Sequence, residues 1–477
     1  MRLPSAGPTR RQWTVLVLLF LLLLPAVTAR IYSSDEIQYF SYLRSLWFDH
    51  DLSFDNEYRY FYDHGIAHAE GFHDTFLELA TETGHRINFG TIGCAILWAP
   101  FYAIGDAAAH LTGAPIDGFS KPFITGVAYG SAVYGWLALV LALLCARELD
   151  LNGFWAALAV WFGTPLLFYM YVAPPFSHAC SAFAVALFTY VWLRVRGAWS
   201  LRGLVALGAA GALMAMVREQ DLFFVAGPAL DRAWTAVAQA EWRRPDRGRA
   251  IAAIVGGCAA FAVVFTPQMV SYLALNGRIG PSKLVLRKMY WTAPHALQVL
   301  FSPQHGFVWW TPLAIVGIVG LVWAGVAHRD PAGGADSPHP ASGVGRNRQA
   351  AVCLLAMIAL QVYVGGAVDS WTVACAYGQR RFVALTTALI VGLAWLFARV
   401  RARVPRTVLA SIVALAVYWN VALTAEFGTG LMSHQNLAPA QNAYDAFVTL
   451  PREAPSLVYR YLFERSSFYK RGAQTGQ

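Results

Sequence analysis

The chain has 477 residues, of which 57 % are hydrophobic and only 13 % charged, and its mean hydropathy is +0.45. A soluble globular protein carries about a quarter charged residues, so this composition excludes a water-coated surface and points to a bilayer. The formal charge of +9, from 36 Lys and Arg against 27 Asp and Glu, reads as the cytoplasmic excess of a membrane protein and not as a nucleic-acid surface.

Apolar runs recur at 13–29, 89–110, 122–145, 153–171, 179–195, 202–217, 221–233, 251–275, 307–327, 350–368, 382–399 and 407–425. About twenty residues are needed to cross about 30 Å of hydrocarbon. Arg10 and Arg11 precede the first run, and Val27-Thr28-Ala29 resembles a signal-peptidase site. An uncleaved first helix is the expectation, because the loop after it carries the chemistry. Four basic clusters set the topology: Arg194/Arg196/Arg202, Arg232/Arg243/Arg244/Arg247/Arg249, Arg329/Arg346/Arg348 and Arg399/Arg401/Arg403/Arg406. All four face the cytoplasm only if 89–110 does not cross. That run is also the most interrupted, by Gly90, Gly93, Pro100, Gly105 and Asp106. It is therefore read as re-entrant or interfacial on the outer side.

The predicted fold is all-α and polytopic, with about eleven transmembrane helices. Residues 1–29 form the first crossing, and 30–121 an outer loop with juxtamembrane helices and the re-entrant helix. Residues 122–425 form the bundle, and 426–477 a short outer C-terminal segment. No internal repeat supports an inverted-repeat transporter.

The outer side collects the chemistry. In Tyr32-Ser-Ser-Asp35-Glu36-Ile-Gln-Tyr39-Phe-Ser-Tyr42 two carboxylates follow the first crossing. Tyr39, Tyr42, Leu43 and Leu46 recur at helical spacing, which predicts an amphipathic helix on the membrane surface. Asp35 at its start is either a cap that favours the helix dipole or a general base held at the interface. Arg86, at the lip of the 89–110 run, is either a phosphate ligand or a snorkelling cation. Arg218 breaks an apolar hairpin and either pairs with Glu219 or Asp221 or meets an anion. Lys283, Arg287, Lys288 and His305 lie in one outer loop, Arg380 and Arg381 in another. Cations placed against the positive-inside tendency suggest a phosphate-bearing lipid. His64 and His68, four apart among several Asp, match no zinc spacing. Cys94, Cys145, Cys180, Cys258, Cys353 and Cys375 show no CxxC and read as small hydrophobes. Neither metal nor cofactor is expected.

A first span, an outer Asp35-Glu36 helix, a basic residue leading a re-entrant apolar run and a hairpin-rich bundle resemble the GT-C class of glycosyltransferases. The nearest parallels are protein O-mannosyltransferases and aminoarabinose–lipid A transferases. Asp35-Glu36 matches their Asp-Glu pair. Arg86-Ile-Asn88 takes the place of their Lys-Pro-Pro-type segment but departs in sequence. Thr164-Pro165-Leu166 through His178 resembles their third-span exit, with Ser177-His178 where an Asp often stands. The resemblance covers 13–400 and is architectural more than motif-exact. It implies transfer of a sugar from a polyprenyl-phosphate carrier to a glycan, lipid or protein acceptor at the periplasmic face of a bacterial inner membrane. Asp35 would be the base and Glu36 its partner. Arg86, Arg380 and Arg381 would hold the lipid phosphate, and Tyr39, His178, Arg218, Lys283, Arg287 and His305 would complete the substrate site. A transporter or flippase of lipid-linked glycans would share the bundle and the basic site, but it favours ionisable groups at mid-membrane. A surface-polysaccharide polymerase would place its Arg residues in a large late loop.

Overall fold

The computed structural model describes residues 7–67, 71–238, 247–326, 343–373, 375–400 and 405–468. His68, Arg243, Arg244, Arg329, Arg401 and Arg403 lie outside the described residues. Among the described residues there is no β-strand, only the isolated bridges Ala80–Arg86 and Met289–Val368. Seven helices among the described residues are long and apolar enough to cross a membrane: Gly93–Thr112, Lys121–Glu148, His178–Val195, Arg247–Val264, Gly345–Ala367, Arg380–Val400 and Thr407–Thr429. Phe154–Gly163, Leu201–Val217 and Leu313–Val326 are shorter apolar helices.

The chain opens with α1 (Arg10–Leu23), started by a capping box between Thr9 and Gln12. Its first turn meets the end of α5 (Lys121–Glu148), where Asn152 donates to the Gln12 side chain at 3.3 Å. Beyond its last turn, Thr28 N–H donates to the Tyr171 carbonyl at 2.8 Å. These two contacts define the ends of the bundle. At the Tyr171 end lie α2 (Ser34–Arg44) and α3 (Asp55–Asp63).

The run expected to be broken is one continuous helix, α4 (Gly93–Thr112), with Pro100 inside it. It packs back along the first half of α5. Trp98 Nε1 donates to Ser131 at 2.8 Å and Tyr134 to the Leu97 carbonyl at 2.8 Å. Gly105 lets the backbones close, since a Cβ there would fall 2.6 Å from the Pro122 oxygen. About 20 Å of α5 extends beyond Tyr134 toward its other end. The first residue of α4 abuts the end of α9 (Leu201–Val217), where a Cβ on Gly93 would sit 2.4 Å from Val217 N.

The run at 153–171 is two helices, α6 (Phe154–Gly163) and α7 (Leu166–Tyr171), divided at Thr164-Pro165. Proline removes a donor and frees carbonyls, which in a bilayer need partners. Asn420 Nδ2 supplies them, donating to Phe162 O at 2.8 Å and Thr164 O at 3.0 Å. Asn420 belongs to α19 (Arg406–Thr429). The run at 251–275 divides likewise into α11 (Arg247–Val264) and α12 (Thr266–Asn276), with Pro267 in the first turn of α12.

Three further helices join the middle of the bundle: α8 (His178–Val195), α10 (Ala226–Ala238) and α17 (Gly343–Ala367). Arg196, a member of the first basic cluster, is buried in a bidentate pair with Asp231. The contacts are 3.0 and 2.9 Å, and Trp192 Nε1 donates to the same carboxylate at 2.9 Å. The remaining Arg196 donor reaches the Arg346 carbonyl at 2.8 Å. One guanidinium thus joins α8, α10 and α17. Short α13 (Lys283–Arg287), α14 (Ala296–Phe301) and α15 (Phe307–Trp310) lead to α16 (Leu313–Val326), which runs beside α18 (Thr386–Val400). Gly320 has no room for a side chain there, because a Cβ would fall 1.9 Å from the Gly392 oxygen. Such small-residue seams hold apolar helices together by close backbone contact.

The segment after 426 is more ordered than a simple tail. It folds into α20 (Pro439–Tyr444) and α21 (Leu450–Phe463), and α21 returns to the end of α1. Tyr461 donates to the Ala26 carbonyl at 2.8 Å, and Arg465 to Val27 O at 2.7 Å and Pro25 O at 2.8 Å.

Candidate functional site

The site begins with the start of α2. Ser33 is the N-cap and forms a capping box with Glu36. Glu36 Oε2 accepts the backbone N–H of Tyr32 at 2.9 Å and of Ser33 at 3.0 Å. The side chain is fully buried, and Oε1 has no partner. Burial outweighs the two backbone hydrogen bonds and pushes the carboxyl up to about 8. Glu36, expected as the partner of Asp35, does not line the cavity and is engaged by the backbone of Tyr32 and Ser33. The Ser33–Glu36 box does the capping and leaves Asp35 free to face outward.

Asp35 Oδ2 lies 2.7 Å from Arg380 Nη1. Arg380 stands in the turn Arg380–Leu385 that leads into α18, with its guanidinium 5.4 Å from the Phe176 ring centroid. Both residues line a cavity of about 440 Å³, together with Tyr39, Arg218, Arg381 and Lys288. Gly90 lets Tyr39 into this wall, since a Cβ there would fall 3.2 Å from its ring. Burial raises the Tyr39 hydroxyl to about 12.

Arg218 pairs with neither Glu219 nor Asp221. Its Nη1 donates to Ser177 at 3.2 Å and to His178 Nδ1 at 2.7 Å, which fixes the imidazole as an acceptor there. The buried Arg218 Nε has no partner. Arg381 donates to the Ser370 carbonyl at 3.0 Å and its hydroxyl at 3.1 Å. Neither Arg218 nor Arg381 forms an ion pair among the described residues. Lys288 rests over Phe89, 5.2 Å from the ring centroid. Four cations and two carboxylates, Asp35 and Glu219, thus share the wall. The excess of fixed positive charge in a partly enclosed space suits an anion. Phe223, Trp291, Leu286, Val364 and Val368 form an apolar flank to the same cavity.

The other expected ligands are elsewhere. Arg86 is held by Asp55 at 2.7 Å. Burial raises the Asp55 carboxyl, but Arg59 and Arg86 outweigh it and keep the group below its ordinary value. Lys283 pairs with Glu82 at the surface, and Arg287 is exposed. His305 is buried against Trp310, with Nε2 3.1 Å from the His434 carbonyl, and burial depresses it to about 4. His178 stands behind Arg218 and does not line the cavity. Lys288, one of the outer-loop cations, does line it, as do Glu219 and Gln220, for which the sequence suggests no ligand role. Among the described residues no group of three His, Cys, Asp or Glu could hold a metal ion.

The geometry therefore defines a helical bundle with apolar membrane-length helices and a cation-rich cavity at one end. No protein-family model matches the chain, and no curated protein matches it.

Proposed function

We propose that the chain is a membrane glycosyltransferase of the cell envelope, moving a sugar from a polyprenyl-phosphate carrier to an acceptor hydroxyl. The observation that carries this reading is the Asp35–Arg380 pair on a cavity wall that also presents Arg218 and Arg381 without carboxylate partners. Asp35 takes the proton of the acceptor hydroxyl as its oxygen attacks the anomeric carbon. The bond from that carbon to the phosphate oxygen breaks, and the electron pair leaves with the phosphate. Arg218, Arg380 and Arg381 stabilise the charge that grows there. A single displacement of this kind inverts the anomeric centre. Phe223, Trp291 and Leu286 offer the carrier an apolar flank beside its phosphate.

On this reading eleven segments cross, and the cavity opens at the periplasmic face of a bacterial inner membrane. The segments α1, α5, α6–α7, α8, α9, α10, α11, α16, α17, α18 and α19 make the traverses, and α4 stays beside the outer half of α5. An enzyme is favoured over a flippase in that Asp231 and Arg196, inside the bundle, satisfy each other. The test is a deletion strain whose surface glycans are compared by mass spectrometry with those of the parent. A missing sugar should return with the wild-type chain and stay missing with Asp35→Asn; identical glycans in all strains overturn the reading.

A further inference from the structure

The cavity wall holds a carboxylate that no cation among the described residues neutralises. Asp35 is answered by Arg380 at 2.7 Å. Glu219, in the turn Glu219–Val225 after α9, forms no ion pair among the described residues. Its Oε1 accepts from the Tyr272 hydroxyl, and its Oε2 makes no protein hydrogen bond. Next to it, Gln220 Nε2 is buried without a partner. Both residues line the cavity. A carboxylate oxygen accepts and an amide nitrogen donates, so Glu219 carries a spare acceptor in this wall and Gln220 an unspent donor beside it.

That occupant is not the phosphate, which a carboxylate repels. It is a neutral group that both donates and accepts, and neighbouring hydroxyls on a ring do both. The preceding residue is Arg218, whose Nε is also buried and unpaired. Three successive residues of the wall therefore carry a cation, an acceptor and a donor.

We infer that Glu219 and Gln220 form the subsite that reads two neighbouring hydroxyls of the carried sugar and so select which sugar is transferred. This rests on the glycosyl-transfer reading and adds to it a determinant of specificity away from Asp35. Tyr272 sets the rotamer of Glu219, and Thr91, which donates to the Val217 carbonyl at 2.9 Å, fixes the chain just before it.

The test compares binding of bare undecaprenyl phosphate with undecaprenyl phosphate bearing mannose, glucose, galactose or arabinose, using purified full-length protein in nanodiscs. The wild type should bind at least one glycosylated lipid about tenfold or more tightly than the bare lipid. Gln220→Ala and Glu219→Gln should bring that lipid to the bare-lipid affinity, leaving bare-lipid binding within about twofold of wild type. Glu219→Gln keeps an acceptor for Tyr272 and so preserves the turn. The inference is overturned if no sugar strengthens binding, if the gain survives both variants, or if the variants weaken bare and glycosylated lipid equally. Failure of the wild type to bind even the bare lipid would overturn the donor assignment itself, an outcome distinct from the other three.

Discussion

Asp35 Oδ2 and Arg380 Nη1 lie 2.7 Å apart, although 345 positions separate them in the chain. One stands in the first turn of α2, the other at the entrance to α18. The pair joins the start of the chain to its late helices at the cavity wall. It also sets a fixed direction for the carboxylate, with its second oxygen left for an acceptor.

Asp35→Asn should lower sugar transfer by about 10²–10⁴-fold, the usual contribution of a positioned base. The variant should reach the membrane in normal amount and keep its affinity for the carrier lipid, since the amide still fits beside Arg380. Transfer at the wild-type rate in a reconstituted assay would remove Asp35 from the reaction.

Arg218→Gln and Arg381→Gln should each weaken binding of undecaprenyl phosphate by about tenfold or more, as expected for loss of a charge-assisted hydrogen bond worth about 1.5–3 kcal/mol. Arg86→Gln and Lys283→Gln serve as controls. Both residues already have carboxylate partners, Asp55 and Glu82, and both variants should bind as the wild type does. Equal losses at all four positions would mean that general surface charge, not the cavity, attracts the lipid.

The Glu36 carboxyl, raised by burial from 4.5 to about 8, makes stability depend on pH. The unfolded chain gives up this proton near 4.5 and the folded chain holds it to about 8, so its contribution is fully present below 4.5 and is lost as pH rises through that window. Glu36→Gln keeps an oxygen for the Tyr32 and Ser33 N–H groups without the ionisation. Its apparent melting temperature, measured in detergent from pH 5 to pH 9, should fall less with rising pH than that of the wild type. Parallel curves would show that Glu36 is not the titrating group.

Arg465→Ala removes hydrogen bonds to Pro25 and Val27 without touching the cavity. Each such bond contributes about 0.5–1.5 kcal/mol. The segment 25–30 should loosen and trypsin should cut after Arg30 faster than in the wild type, with transfer reduced as Asp35 loses its register. Unchanged cleavage and unchanged transfer would show that α21 merely rests on α1.

Much of the bundle was legible in the sequence because apolar runs must become helices in lipid. The breaks at Thr164-Pro165 and Thr266-Pro267 were not located, since a proline shows that a helix is disturbed but not which distant side chain repairs it. Here Asn420 does so for α6–α7. Asp35, Tyr39, Arg218, Arg380 and Arg381 were found from their position in outer loops, and the cavity brings all five together. Arg86 and Lys283 carried the same local signal but are claimed by Asp55 and Glu82, partners that only the folded chain reveals. Glu36 could have been separated from Asp35 at the outset, since Ser33-x-x-Glu36 is the spacing of a capping box. Glu219 and Gln220 gave no such signal, because their role depends on what the turn faces.

Hydrogen bonds from Tyr461 and Arg465 reach back 435 and 438 positions to the end of α1. At about 5–20 residues per second of synthesis, that interval is tens of seconds. A nascent chain can insert its early helices long before the segment ahead of Asp35 acquires these ties. A chain cut short before α21 would thus keep the residues that line the cavity but lack the ties that hold the segment ahead of Asp35.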